Sequence, residues 1–158
     1  MARQLASLHS RTSRTHAPRT RRSRIASQRV SLSNPTQLGM PYRPYSSLGV
    51  RVTAGPLLFV SGQVAWDKNY KVVGIGDVRK QTVQVLKNIE VVLKDNGATL
   101  DDIVKMTVFV TNMAYFEDVA QVRNQYFPNQ GTASTMVEVS HLALPELLIE
   151  MDAIAVCS

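Results

Sequence analysis

The chain has 158 residues, the size of one domain, with 44% hydrophobic residues and a formal net charge of +6. That charge is uneven: residues 1–43 hold nine Arg and no Asp, Glu or Lys, whereas residues 44–158 set nine Lys and Arg against all 12 acids, a net −3. The pI near 9.8 therefore belongs to the tail and is no ground for reading the folded part as nucleic-acid binding. The single cysteine, Cys157, excludes an intramolecular disulfide, and no apolar run reaches the roughly 20 residues of a membrane span.

Residues 1–41 are rich in Arg, Ser and Thr and lack acids, the composition of a mitochondrial or chloroplast transit peptide. A disordered targeting segment bound for the mitochondrial matrix is expected here, with the cytoplasm as the alternative location. Two other readings stand beside it: a basic tail attracted to acidic surfaces by charge, and R-T-R-R-S-R as a nuclear-import or RNA-binding cluster. Targeting ranks first because the basic run is N-terminal and stops where the domain, residues 42–158, begins. Leu5 and Leu8 can share a helical face there, Pro18 limits a longer helix, and His9 and His16 read as solvated bystanders.

From Val50 the alternation predicts a strand, a turn at Ala54-Gly55-Pro56 and a returning strand Leu57–Val60, together a hairpin. Ser61-Gly62-Gln63 follows, where Gly62 marks a bulge, a close ligand approach, or both. Trp66 to Gly76 reads as a loop or irregular edge, with a possible short strand after Val64. Asp77 then caps a helix whose apolar stripe is Val78, Thr82, Val85, Leu86, Ile89, Val92 and Leu93, ended by Asn96-Gly97. Ile103–Val110 is the next strand, with Val104, Met106, Val108 and Val110 on one face. Thr111 or Asn112 caps a second helix with the stripe Met113, Phe116, Val119, Ala120, Tyr126 and Phe127, closed by Pro128.

Two strands complete the chain. In the first, Thr135, Val137 and Val139 alternate with Met136, Glu138 and Ser140. In the second, Ile149, Met151 and Ala153 face one way, and Leu148, Glu150, Asp152, Ile154 and Val156 the other. Two carboxylates among aliphatic neighbours are costly unless paired, hydrogen-bonded or wet. That face is accordingly either a subunit seam or the floor of a site. The element order predicts an α+β fold, a sheet covered on one face by two helices, with oligomerisation burying the other face.

No metal spacing is present, since His141 and Cys157 are the domain's only histidine and cysteine, and no cofactor is implied. G-I-G at Gly74–Gly76 is too short for a phosphate loop. The remaining candidate is a small polar cleft of Tyr45, Ser61-Gly62, Ser134 and Glu150. The bland readings are packing for Tyr45 and interface salt bridges for Glu150 and Asp152.

The motif S-T-M-V-E-V…L-P…I-E-M-D-A-I-A-V resembles the closing signature of the Rid/YjgF family, the reactive-intermediate imine and enamine deaminases. P-Y-S at Pro44–Ser46, F-V-S-G-Q-V at Phe59–Val64 and I-V-K-M-T-V-F-V-T-N-M at Ile103–Met113 match in order, so that the resemblance covers residues 42 to 157. It implies a chorismate-mutase-like fold with a mixed sheet, a homotrimer and sites in the clefts between subunits. It also implies hydrolysis of a 2-imino acid, such as 2-iminobutanoate or 2-iminopropanoate, or a related carbonyl compound, to a 2-keto acid and ammonia. Glu150 would be catalytic, holding the attacking water. Tyr45, Ser61 and Gly62 would bind substrate, together with residue 134. The family's P-A-R-S carries there an Arg that clamps the substrate carboxylate; this chain has Ser134. A second departure is Ala120, where many members have Asn. Arg43, Arg51 and Arg123 are the cations that could replace the missing charge.

The resemblance thus implies a mitochondrial deaminase without cofactor. A non-catalytic trimer that binds a small metabolite is the alternative, and a ribonuclease or translation inhibitor ranks last because the acidic domain offers nucleic acid little attraction. Neither a membrane nor a nucleic-acid partner is expected.

Overall fold

The computed structural model describes residues 29–38, 41, 43, 45–128 and 131–157. Residues 1–28 of the expected targeting segment, with His9 and His16, lie outside the described residues. The strands are β1 (Val30–Ser33), β2 (Ser46–Ser47), β3 (Gly49–Val52), β4 (Leu57–Val64), β5 (Ile103–Val110), β6 (Thr132–Glu138) and β7 (Ile149–Val156). The helices are α1 (Val78–Asp95) and α2 (Phe116–Tyr126), with single 3-10 turns at Leu100–Asp102 and Met113–Tyr115. No helix among the described residues is long and apolar enough to cross a membrane.

Five strands form the main sheet in the order β2-β6-β5-β7-β4, and β1 and β3 make a separate two-stranded ribbon. The sheet is mixed: β2, β6 and β5 run parallel to one another, while β7 is antiparallel to both β5 and β4. Burial alternates along β7 as the sequence requires, with Ile149, Met151 and Ala153 buried and Glu150, Asp152 and Ile154 half-buried between them. On β5, Met106 and Val108 are buried, whereas Lys105, Thr107 and Phe109 are half-buried on the opposite face. Both helices cover the first face. The second is open, with Phe59 69% exposed.

Helix α1 follows its predicted stripe, burying Val78, Thr82, Val85, Leu86, Ile89 and Leu93. Asp77 caps it by accepting the Lys80 N–H at 3.0 Å. Gly97, at φ +69°, takes the left-handed turn after its end and donates to the Lys94 carbonyl. Two amide side chains on this helix hold the strands that matter below. Buried Gln81 donates to the Glu146 carbonyl at 2.7 Å and accepts the Leu148 N–H at 2.8 Å, fixing the entry to β7. Asn88 donates to the Val64 and Trp66 carbonyls, both at 2.9 Å, fixing the end of β4.

Three expectations need correction. The Gly55 turn exists, at φ +116°, but β3 and β4 form no hairpin ladder. The chain at Gly55 is pressed onto the end of β7, where an added Cβ would lie 2.6 Å from Val156 Cγ1, and Cys157 N–H donates to the Pro56 carbonyl. That contact directs Leu57 into register with Val156 and leaves β3 to pair with β1. Second, the segment expected to be disordered contributes that β1 strand, in register from Val30↔Val52 to Ser33↔Gly49. Third, the buried stripe of α2 is Val119, Ala120, Val122 and Arg123, continued by Phe127, while Met113 is 38% exposed and Phe116 and Tyr126 are half-buried. Asn112 caps the 3-10 turn Met113–Tyr115, accepting the Ala114 N–H at 2.9 Å, while α2 itself starts after Tyr115 with no side-chain cap.

Candidate functional site

The five residues singled out in the sequence fall into two groups. Gly62, Ser61 and Glu150 form the first. The β4–β7 ladder slips between Val60 and Gln63, so Ser61 and Gly62 together stand opposite the single residue Asp152. This bulge re-aims the strand beneath Glu150. A Cβ built at Gly62 would lie 2.9 Å from Glu150 Cδ and closer still to its Oε1. Gly62 has no positive φ, so what demands glycine here is space for the carboxylate and not backbone freedom. The expected bulge is present, and the space that the sequence offered to a ligand at Gly62 is taken by the Glu150 side chain.

The half-buried Glu150 carboxylate makes no hydrogen bond among the described residues, whereas Asp152 accepts the Thr107 N–H at 3.2 Å. A groove of about 480 Å³ runs beside them over the open face, lined by Phe59, Ser61, Gly62, Lys105, Asp152 and Ile154 among others. In it Lys105 donates to Thr135 Oγ1 at 3.3 Å and to the Met106 carbonyl at 3.0 Å. Burial lowers the Lys105 ammonium below the usual lysine range; Asp152 raises it in part and Arg123 lowers it further.

Tyr45 and Ser134 form the second group, joined by a residue absent from the sequence-derived cleft. Arg123 Nη2 donates to Ser134 Oγ at 2.9 Å, and its guanidinium carbon stands 4.3 Å from the centroid of the Tyr45 ring. Tyr45 is itself buried, held beside β6 by the Thr132 N–H donating to its carbonyl at 2.8 Å. Burial raises the Tyr45 phenol, while the Arg123 and Arg43 charges pull it down. Burial takes the Arg123 guanidinium down to about 10, and Tyr45 acts to raise it. Of the three candidate cations, only Arg123 reaches Ser134. Arg43 pairs with Glu117, and Arg51 is exposed on β3 opposite Ser31.

One chain does not bring the two groups together. Ser134 is in register with the buried Met106, on the helix-covered face toward the β2 edge. Glu150 is in register with Phe109, on the open face toward the β4 edge. Strand β5 and the thickness of the sheet separate them, so the single cleft expected from the sequence is two half-sites. His141 lies exposed at the surface against Ser140, away from both. Among the described residues no His, Cys, Asp and Glu cluster is arranged to hold a metal ion.

Gly62→Ala tests the close approach. The added methyl must displace the Glu150 carboxylate, so overpacking should cost about 1–3 kcal/mol in denaturant unfolding. Unchanged stability would mean that the carboxylate has room to move.

The family model described as Endoribonuclease L-PSP matches residues 37–157. A RutC family protein of Pyrococcus abyssi is 37% identical over 115 residues, covering 73% of this chain and 87% of that protein. The crystal structure of YyfB from Yersinia pestis, a Rid-family protein of unknown function, superposes with a TM-score of 0.75 at 36% identity, covering 81% of this chain and 98% of the other. TdcF of E. coli, solved with bound serine, gives a TM-score of 0.60 at 26% identity, covering 81% and 99%.

Proposed function

The chain belongs to the Endoribonuclease L-PSP family, the Rid/YjgF proteins, and on that footing we propose that it is a hydrolase of small reactive imines. The substrates are 2-imino acids of the size of 2-iminobutanoate or 2-iminopropanoate. Water adds to the C=N carbon, the C–N bond breaks, and a 2-keto acid and ammonia leave. The observation that carries this reading is the Glu150 carboxylate, held over the Gly62 bulge with no hydrogen-bond partner among the described residues. A carboxylate in that state can take a proton from water as the oxygen attacks. The bound serine in TdcF supports a pocket sized for an amino-acid skeleton in this fold.

A homotrimer accounts for the separation of the two half-sites. A neighbouring copy laid against the open face can bring its own Tyr45–Arg123–Ser134 group to the Glu150 of the first. The Arg-rich, acid-free residues at the N-terminus support delivery to the mitochondrial matrix. Serine at position 134 supports a second reading, a trimer that binds a metabolite without turnover. Ribonuclease activity is disfavoured by the net −3 of residues 44–158.

Ammonia release from freshly generated 2-iminobutanoate tests the reading, with light scattering on the same sample. Release above the spontaneous rate from a trimeric species is expected. A rate equal to spontaneous hydrolysis in a correctly assembled protein would select the binding module.

A further inference from the structure

Of the six lysines in the chain, Lys68, Lys71, Lys80, Lys87 and Lys94 are exposed and only Lys105 is half-buried. Its Nζ meets neutral oxygens alone among the described residues. The Met106 carbonyl lies at 3.0 Å, whereas Thr135 Oγ1 and Thr107 Oγ1 stand at the long distances of 3.3 and 3.5 Å. No carboxylate among the described residues is within ion-pair distance of it. One good hydrogen bond and two weak ones hold the charge loosely, and burial works against it. The groove therefore favours the free amine more than solvent does, and the free amine is the nucleophile.

Strand register gives the amine its neighbours. Lys105 on β5, Ile154 on β7 and Phe59 on β4 form one row across the sheet, with the Phe59 ring 69% exposed. Thr107 and Asp152 stand opposite each other in the next row, beside the Ser61–Gly62 bulge. Both rows line the open-face groove of about 480 Å³, a volume suited to a small ligand. Asp152 accepts the Thr107 N–H at 3.2 Å through Oδ1 and makes no other hydrogen bond among the described residues, so Oδ2 is unengaged. Glu150, one row beyond Asp152, is not among the lining residues.

We propose that Lys105 captures small neutral aldehydes in this groove as a lysine imine, with Asp152 moving the proton. The amine nitrogen attacks the carbonyl carbon, a C–N bond forms, and the carbonyl electron pair goes to oxygen. That oxygen takes up a proton to give a carbinolamine. Asp152 then accepts the proton lost from nitrogen and passes one to the departing hydroxyl, so that water leaves and C=N remains. Phe59 and Ile154 receive the alkyl chain. The class is a neutral aldehyde because the reacting amine is the only cation among the lining residues, and Asp152 would repel an acid. The site stands apart from Glu150 and does not rest on the function proposed above.

The test is reductive trapping on the full chain. Butanal or 2-oxobutanoate is added with cyanoborohydride, which reduces an imine to a stable secondary amine, and peptide mass spectrometry locates the modified lysines over time. Butanal should label Lys105 before any of the five exposed lysines, and 2-oxobutanoate should label it more slowly. Asp152→Asn should slow labelling of Lys105 by about 10²-fold, the loss of a positioned acid–base group. A merely electrostatic Asp152 gives the opposite sign, because its charge raises the Lys105 ammonium and removing it would free the amine. Lys105→Arg should abolish the fast label and leave ammonia release from 2-iminobutanoate unchanged. Butanal on the exposed lysines with Lys105 unmodified overturns the inference, and this result needs no variant to fold. Labelling by 2-oxobutanoate as fast as by butanal overturns the ligand class, and faster capture by Asp152→Asn overturns the role of Asp152. Ammonia release lost in a folded Lys105→Arg protein would make the groove part of the hydrolytic site. Fast label at Lys105 without any ammonia release would sink the hydrolase and leave this site standing.

Discussion

Glu150→Gln should lower ammonia release from 2-iminobutanoate by about 10²- to 10⁴-fold, the contribution of a positioned acid–base group. Glutamine keeps the volume of the side chain over the Gly62 bulge and removes only the charge and the proton-accepting oxygen. Subunit association should therefore be unchanged by light scattering. The half-burial of Glu150 and its want of a hydrogen-bond partner among the described residues make this a sharp comparison, since no structural bond is lost with the charge. If the substitution dissociates the assembly instead, Glu150 belongs to a seam between copies and the hydrolytic reading loses its base.

Ser134→Arg should destabilise the protein and should not improve activity. From the sequence, placing an arginine there would restore the charge that the family motif carries. The structure reverses this expectation: Ser134 Oγ lies 2.9 Å from Arg123 Nη2, so a second guanidinium would enter beside a cation that already lacks an acid among the described residues. An uncompensated buried charge costs about 3–5 kcal/mol. Thermal unfolding should show that loss for Ser134→Arg, and the double variant Ser134→Arg/Arg123→Leu should regain most of it, because one cation again occupies the space. A non-additive pair of this kind is the signature of two residues sharing one site. A stable, more active Ser134→Arg protein would mean that residues 123 and 134 do not compete.

The layers of the fold were legible because they rest on local periodicity. The stripe of α1, the alternation of β5 and β7, and the cap at Asp77 each follow from a few neighbouring residues. Strand partnership was not legible, because it is decided between distant segments. Nothing in Gly49–Val52 says that it will meet Val30–Ser33 in preference to Leu57–Val64. The same limit explains the divided cleft: Ser134 and Glu150 are both polar residues in family motifs, yet only the register of β6, β5 and β7 shows that they lie on opposite faces. Arg123 stands in the sequence only as one of three cations that could replace the missing charge, and its place beside Ser134 was not legible for a different reason. A charged residue in an amphipathic helix reads as solvent-facing, although its spacing from Val119, Ala120 and Phe127 places it on the buried stripe. A cation on an otherwise apolar helical stripe was the available signal.

The division of the half-sites by β5 has a thermodynamic consequence. On the proposed function, a ligand that touches the Tyr45–Arg123–Ser134 group of one copy and Glu150 of another is held where two copies meet, and occupancy and association become linked functions. By reciprocity, whatever factor association contributes to ligand affinity, the ligand returns to association. At a concentration one hundred times its Kd, a ligand confined to the associated state stabilises that state by about 2.7 kcal/mol. Dilution below the subunit dissociation constant would then silence the protein with every residue intact, and a rising level of substrate would reassemble it.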